Sequence, residues 1–224
     1  MTGFLLRAED VLRRAAWTTQ SQRPLSATRD LVAYVVLFGM TYGAVMGAFG
    51  GVFGDRFWQV VYSAIKVPLL LLVTFLISLP SFFVLNSLFG LRRDLGQAIR
   101  ALVAAQAGVA TVLVSLAPLT LLWYASSADY QAAVLFNAAM FAVASLAVQW
   151  LLRGFYRPLI ERNPLHRTLL WAWLVVYAFV GIQMAWILRP FVGSPTTPVE
   201  FFREDSWGNA YVVVAQLIWQ VLTN

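Results

Sequence analysis

The sequence contains no cysteine and a single histidine, His166. Disulfides, thiolate catalysis and cysteine-ligated metal or iron–sulfur centres are therefore excluded. One histidine in this chain rules out bis-histidine haem ligation and the paired-histidine zinc motif. His166 lies in the basic stretch "ERNPLHRTLL" without neighbouring metal ligands, and is expected to be a solvated or phosphate-facing loop residue. Charge is also scarce: 12% of residues are charged, against about 25% in an ordinary soluble domain. Only one of the sixteen basic residues, Lys66, is a lysine, a bias that points to a GC-rich, bacterial genome.

The absences extend to function. No glycine-rich phosphate loop followed by Lys-Ser/Thr occurs, and no Ser/His or paired-carboxylate constellation is visible. All ten acidic residues lie outside the long apolar runs: Glu9, Asp10, Asp30, Asp55, Asp94, Asp129, Glu161, Glu200, Glu204 and Asp205. Proton and cation pathways commonly place ionisable groups within the membrane, so their lack weakens a transporter reading. No catalytic, cofactor-binding or metal-binding residue is expected, and no cofactor.

Abundant apolar residues take the place of charge. They form 60% of the chain, with a mean hydropathy of +0.72. Runs of about twenty apolar residues are long enough to cross a bilayer as helices. The expected spans are Leu31–Phe53, Val67–Phe89, Ala101–Trp123, Tyr130–Leu152 and Thr168–Leu188. Apolar character from Phe57 to Gly90 is too long for one ordinary span at 1.5 Å per residue, so a break is expected at Lys66 and Pro68. That break leaves "DRFWQVVYSAI" (Asp55–Ile65) at the interface. Pro80 and Pro118 should kink their spans without ending them. The fold expected is an all-α integral membrane protein of five transmembrane helices, with residues 1–30 as an N-terminal segment, 31–188 as the membrane domain and 189–224 as an outer tail.

Arginine placement sets the expected orientation. Arg7, Arg13, Arg14, Arg23, Arg29, Arg92, Arg93, Arg100, Arg153, Arg157, Arg162 and Arg167 fall on one side, while Arg56, Lys66, Arg189 and Arg203 fall on the other. Twelve against four places the N-terminus in the cytoplasm by the positive-inside rule, and with the arginine bias noted above the expected location is a bacterial inner membrane. The same sorting accounts for the pI of about 10.1 without invoking nucleic acid. Arg92, Arg93, Arg153 and Arg157 stand at helix ends, where lipid phosphates lie, and are candidate head-group contacts.

Glycines recur every fourth residue in "GMTYGAVMGAFGG": Gly39, Gly43, Gly47 and Gly51. In water each would cost a helix about 1 kcal/mol. In a bilayer the helix is enforced, and a smooth stripe instead permits close helix packing, within the chain or against another protomer or subunit. Gln106, Asn137, Gln149 and Gln183 are expected to hydrogen-bond between helices, with Thr41, Tyr42, Asn86 and Ser115 read in the same way.

The two ends are ambiguous. "FLLRAEDVLRRAAW" is amphipathic and basic, suited to the cytoplasmic lipid surface or to a partner, and lacks the pattern of a cleavable signal. The outer tail "RPFVGSPTTPVEFFREDSWGN" is too apolar for a simple linker. It is read as an ordered cap or as a partner-docking surface built on Phe191, Phe201, Phe202 and Trp207. Trp207–Leu222 is short for a span, and is either a sixth crossing or an interfacial or re-entrant helix.

The run "IKVPLLLLVTFLISLPSFFVLNSLFG" (Ile65–Gly90), the later "SLAPLTLLWY" (Ser115–Tyr124), five helices and a cytoplasmic N-terminus together resemble the bacterial branch of the Yip-domain family, over Leu31 to Leu188. That resemblance implies a polytopic, non-enzymatic membrane protein. It carries no small-GTPase partner to this chain. The function expected is a structural or accessory subunit that binds membrane lipids and other membrane proteins, as a hetero- or homo-oligomer; the alternative is a small-solute or lipid transporter or channel.

Overall fold

The computed structural model describes residues 9–15, 17–20, 24–194, 197–203 and 208–212. Five long helices dominate it: α1 (Pro24–Gly47), α2 (Arg56–Leu88), α3 (Leu95–Ser126), α4 (Tyr130–Arg162) and α5 (Leu165–Leu188). No strand occurs among the described residues, and all five helices are long and apolar enough to span a membrane. A short helix, Trp17–Gln20, precedes them, and a 3-10 turn, Arg92–Asp94, joins α2 to α3.

Local sequence explains the ends. The first turn of α1 begins at Pro24, whose missing N–H would have had no partner in any case. The chain leaves α1 through Gly50, Gly51 and Gly54 at φ of +84°, +118° and +63°, a left-handed region in which glycine is unpenalised. Thus Gly51, expected on the packing stripe, lies beyond the helix and an added Cβ would touch nothing. The start of α4 is capped by Asp129, whose carboxylate accepts from the backbone N–H of Gln131 at 2.8 Å and Ala132 at 3.3 Å.

The expected break in the second span is absent. α2 runs unbroken through Lys66, Pro68 and Pro80 for 33 residues. Two features make this possible. Membrane helices tolerate proline where neighbours satisfy the freed backbone. Lys66 also does not need water, because its Nζ donates to the Pro190 carbonyl at 2.8 Å and lies 4.9 Å from the centre of the Phe201 ring. Asp55–Ile65 is therefore mostly the first turns of a long helix, which meets the tail at Arg56, Gln59, Tyr62 and Ser63 and leaves Phe57, Trp58 and Ile65 exposed.

Helix packing follows the small residues. α1 is antiparallel to α2, and Gly39, Gly43 and Gly47 meet Pro68, Ser63–Ala64 and Gln59–Val60 in turn. A Cβ at Gly43 would lie 2.8 Å from the Ser63 carbonyl carbon and 2.9 Å from Ala64 Cα. Such backbone-to-backbone approach is what glycine permits between membrane helices. α1 also packs on α3, α3 on α4, and α5 on α2. The order of packing is thus α5–α2–α1–α3–α4, and the two end helices, though consecutive in sequence, touch each other only sparsely.

The N-terminal segment turns its apolar face to protein. Val11 is fully buried in the main core with Leu31, Leu102, Phe155 and Tyr156, while Arg14 stacks over Trp150 at 4.3 Å. Asp94 then ties two loops together, accepting from Arg162 at 3.3 Å and meeting His166 Nε2 at 3.2 Å. His166 is buried in the first turn of α5, not solvated as expected, because Asp94 offers it a partner. These contacts gather Arg13, Arg14, Arg92, Arg93, Arg153, Arg157, Arg162 and Arg167 at one end of the bundle, the basic end.

Candidate functional site: a lateral cleft between α4 and α5

Because α4 and α5 barely touch, a cleft opens between them. α2 and α3 form its floor, with Leu70, Leu71 and Thr74 from the former and Ala105, Gln106 and Val109 from the latter. Its walls are Phe141, Ser145, Val148, Gln149 and Leu152 on α4, and Trp173, Leu174, Tyr177, Ala178, Gly181 and Ile182 on α5. This middle section holds about 370 Å³.

The section continues into wider spaces at both ends. Gln149, Leu152 and Leu174 are shared with a mouth of about 590 Å³ at the basic end, lined also by Arg153, Arg157, Glu161, Arg167, Leu170 and Trp171. Leu70, Phe141 and Ala185 are shared with a space of about 470 Å³ at the opposite end, where Arg189, Pro190, Phe191 and Arg203 contribute. Three adjoining, mainly apolar spaces, with arginine at the two outer ones, thus follow the length of the bundle.

Polar groups inside the bundle are mostly turned to each other. Tyr42 Oη donates to Asn137 Oδ1 at 3.2 Å, and Asn137 Nδ2 donates to Tyr124 Oη at 2.6 Å, linking α1, α3 and α4. Tyr177 donates to Gln106 across α5 and α3 at 3.0 Å. Thr41, Ser115 and Asn86 instead bond carbonyls of their own helices. Two polar atoms beside the cleft, Thr74 Oγ1 and Trp173 Nε1, are buried without a hydrogen-bond partner among the described residues.

The outer tail covers one end of α2. Gln59 and Ser63 donate to the Phe191 carbonyl, and Arg56 donates to the Ser194 carbonyl. Phe201 packs edge-on against Tyr62 at 5.3 Å, and Phe191 packs on the core cluster around Tyr42 and Met46. Of the aromatic residues read as a docking surface, Phe191 and Phe201 face the bundle, Phe202 is exposed, and Trp207 lies outside the described residues. Further on, Gln183 bonds Gly208 and Ala210, and Tyr211 stacks on Phe179 at 4.2 Å. Gly208–Val212 therefore runs back along α5, while most of Trp207–Leu222 lies outside the described residues.

The expected head-group arginines divide into two sets. Arg92 and Arg93 sit in the exposed 3-10 turn away from the cleft, with Arg92 placed 5.7 Å from the centre of the Phe83 ring. Arg153 and Arg157, one turn apart on α4, line the cleft mouth. Arg167 joins them from α5. Its position in sequence carried no sign of this, because the pairing depends on how the α4–α5 turn folds. No cluster of three potential metal ligands occurs among the described residues.

Comparison with known protein families, curated proteins and solved structures finds no match to the chain.

Proposed function

We propose that the protein is a non-catalytic, multi-pass subunit of a bacterial inner membrane, with its basic end in the cytoplasm, that acts by binding other membrane proteins and lipids. A Yip-like, non-enzymatic role belongs to the same proposal. The observation that carries it is the middle of the α4–α5 cleft. This section has no carboxylate, lysine, arginine or histidine in its lining, and it faces sideways between two helices instead of forming an axial polar pore. Proton and cation pathways place ionisable groups at such depth, whereas a lateral cleft lined by apolar and neutral polar side chains suits the side of a membrane helix or a lipid chain.

Photo-crosslinking in native membranes tests this reading. A photoreactive residue at Ile182, at the cleft edge, should give a protein adduct of defined mass beside any lipid adduct, and one at Val84, an exposed position on α2, should give lipid adducts alone. Lipid adducts alone at both positions would overturn the assembly role.

Lipid transport is the second reading, favoured by arginine at both ends of this row of mainly apolar spaces. It expects purified protein in vesicles to move fluorescent phospholipid between leaflets, and a rate equal to that of protein-free vesicles would exclude it.

A further inference from the structure

The mouth of the cleft at the basic end brings three arginines to the rim of an apolar opening. Arg153 and Arg157 project from successive turns of α4, a spacing that puts both on one face, and Arg167 approaches from α5. Arg157 pairs with Glu161 at 2.8 Å, whereas Arg153 and Arg167 have no carboxylate partner among the described residues. Three arginines and one glutamate leave a formal charge of +2 within a concave space. Two of those charges come from opposite walls, so an anion lying between them would be held from both sides.

What lies above the arginines narrows the identity of that anion. Leu152, Leu170, Leu174 and Trp171 also line the mouth, and at Gln149, Leu152 and Leu174 it adjoins the mainly apolar middle section. A free phosphate would satisfy the arginines but leave this adjoining space unused. A ligand with an anionic head and a hydrocarbon tail fills both. Arginine is suited to the head, because its planar guanidinium binds phosphate oxygens through paired hydrogen bonds. Trp171, 56% exposed beside the mouth, has the amphipathic ring favoured at the level of lipid head groups.

We propose that this mouth is a binding site for an anionic phospholipid, with its phosphate between Arg153, Arg157 and Arg167 and one acyl chain in the α4–α5 cleft. The site holds whether the protein serves as an assembly subunit or as a lipid carrier, since it requires neither a protein partner nor movement of the lipid. It also separates the arginines expected to meet head groups: those of the mouth form a site, while Arg92 and Arg93 meet the membrane surface generally.

The test is native mass spectrometry of the full chain in mild detergent, titrated with palmitoyl-oleoyl phosphatidylglycerol or with phosphatidylcholine of the same chains. The unmodified protein should retain phosphatidylglycerol in preference. Each arginine near an anionic lipid surface contributes enough for about a fivefold effect, so Arg153→Gln with Arg167→Gln should weaken phosphatidylglycerol retention about thirtyfold. The pair Arg92→Gln with Arg93→Gln should leave it within about twofold, given a location outside the mouth.

A third variant, Ala178→Trp, fills the middle section without touching an arginine. It should weaken binding of the long-chain lipid while sparing dihexanoyl phosphatidylglycerol. Equal retention of the two head groups by the unmodified protein would overturn the site, as would equal losses from the two arginine pairs. Competition by millimolar inorganic phosphate as effective as that by the lipid would show a free-anion site instead. If the double arginine variant does not fold, the head-group preference of the unmodified protein and the Ala178→Trp comparison still decide the matter. Loss of the protein adduct at Ile182 would bear on the assembly role alone, leaving this lipid measurement intact.

Discussion

Lys66 and Pro190, 124 residues apart, are joined by a hydrogen bond of 2.8 Å from the lysine Nζ to the proline carbonyl. Lys66 is fully buried, so this bond and the Phe201 ring replace the water that a cation would otherwise need. The lysine consequently fastens the outer tail to α2. Lys66→Met removes the donor to the Pro190 carbonyl while keeping similar volume and the apolar packing of the stem. It should therefore free the tail. A cysteine placed at Ser194, only 8% exposed, should react with thiol reagent at least about tenfold faster in the Lys66→Met background, given what a charged hydrogen bond contributes. Unchanged reactivity would mean that Gln59, Ser63 and Arg56 hold the tail without it.

The contact between α1 and α2 should be the least tolerant of added volume. Gly43→Ala and Gly47→Ala place a methyl against the α2 backbone, which cannot rotate away, and should lower unfolding free energy by about 1–3 kcal/mol each. At Gly39 the nearest atom, the Pro68 nitrogen, is 3.3 Å away, and the cost should be smaller. Met40→Leu, at an exposed position, is the control; Val45 would be a poor one because it packs against the core cluster around Tyr42. Denaturation in mixed micelles measures the series. A ranking with Met40→Leu equal to Gly43→Ala would show that the helices are not in close contact.

The part of this structure that follows from the length of apolar runs was legible beforehand, namely five apolar helices, and the four-residue spacing of Gly39, Gly43 and Gly47 marked the face of α1 that lies against α2. What escaped depends on contacts between distant segments. The length of α2 was hidden because Lys66 looks incompatible with a membrane helix until Pro190 and Phe201 are seen above it. His166 looks like a loop residue until Asp94, from the preceding basic turn, is placed against it. Gly51 continues the four-residue spacing, yet the helix has already ended, and spacing alone does not show where the backbone leaves the helical region. The cleft mouth is the clearest case. Arg153 and Arg157 share a helical face by their spacing, but Arg167 meets them only because the turn after Arg162 folds α5 back beside α4.

Asn137 occupies the centre of the polar link among α1, α3 and α4. Replacing it with leucine removes the bonds to Tyr42 and Tyr124, leaving Tyr124 only its longer, 3.4 Å bond to the Met46 carbonyl. Side-chain hydrogen bonds between membrane helices average about 0.6 kcal/mol and reach about 1.7. Asn137→Leu should therefore cost about 1–2 kcal/mol, and Tyr42→Phe about 0.6. In a double-mutant cycle the Tyr42→Phe effect should largely vanish once Asn137 is leucine. Additive losses would show that the two side chains act separately.

The geometry supplies probes of orientation at the two ends of α4. Ser126 ends α3 at an exposed position near the turn into α4, and Glu161 stands exposed on the last turn of α4 beside the basic end. The two positions are separated by the whole length of α4, which at 1.5 Å per residue and 33 residues exceeds the thickness of a hydrocarbon core. They must therefore lie on opposite sides of the membrane. Because the sequence assigns twelve basic residues to the Glu161 side and four to the other, Ser126→Cys should label in intact cells with an impermeant maleimide, and Glu161→Cys only after the membrane is opened. The chain has no cysteine of its own, so no background labelling needs removal. Labelling of Glu161→Cys alone in intact cells would invert the orientation, while labelling of both would mean that α4 does not cross the bilayer and would overturn the five-span arrangement itself.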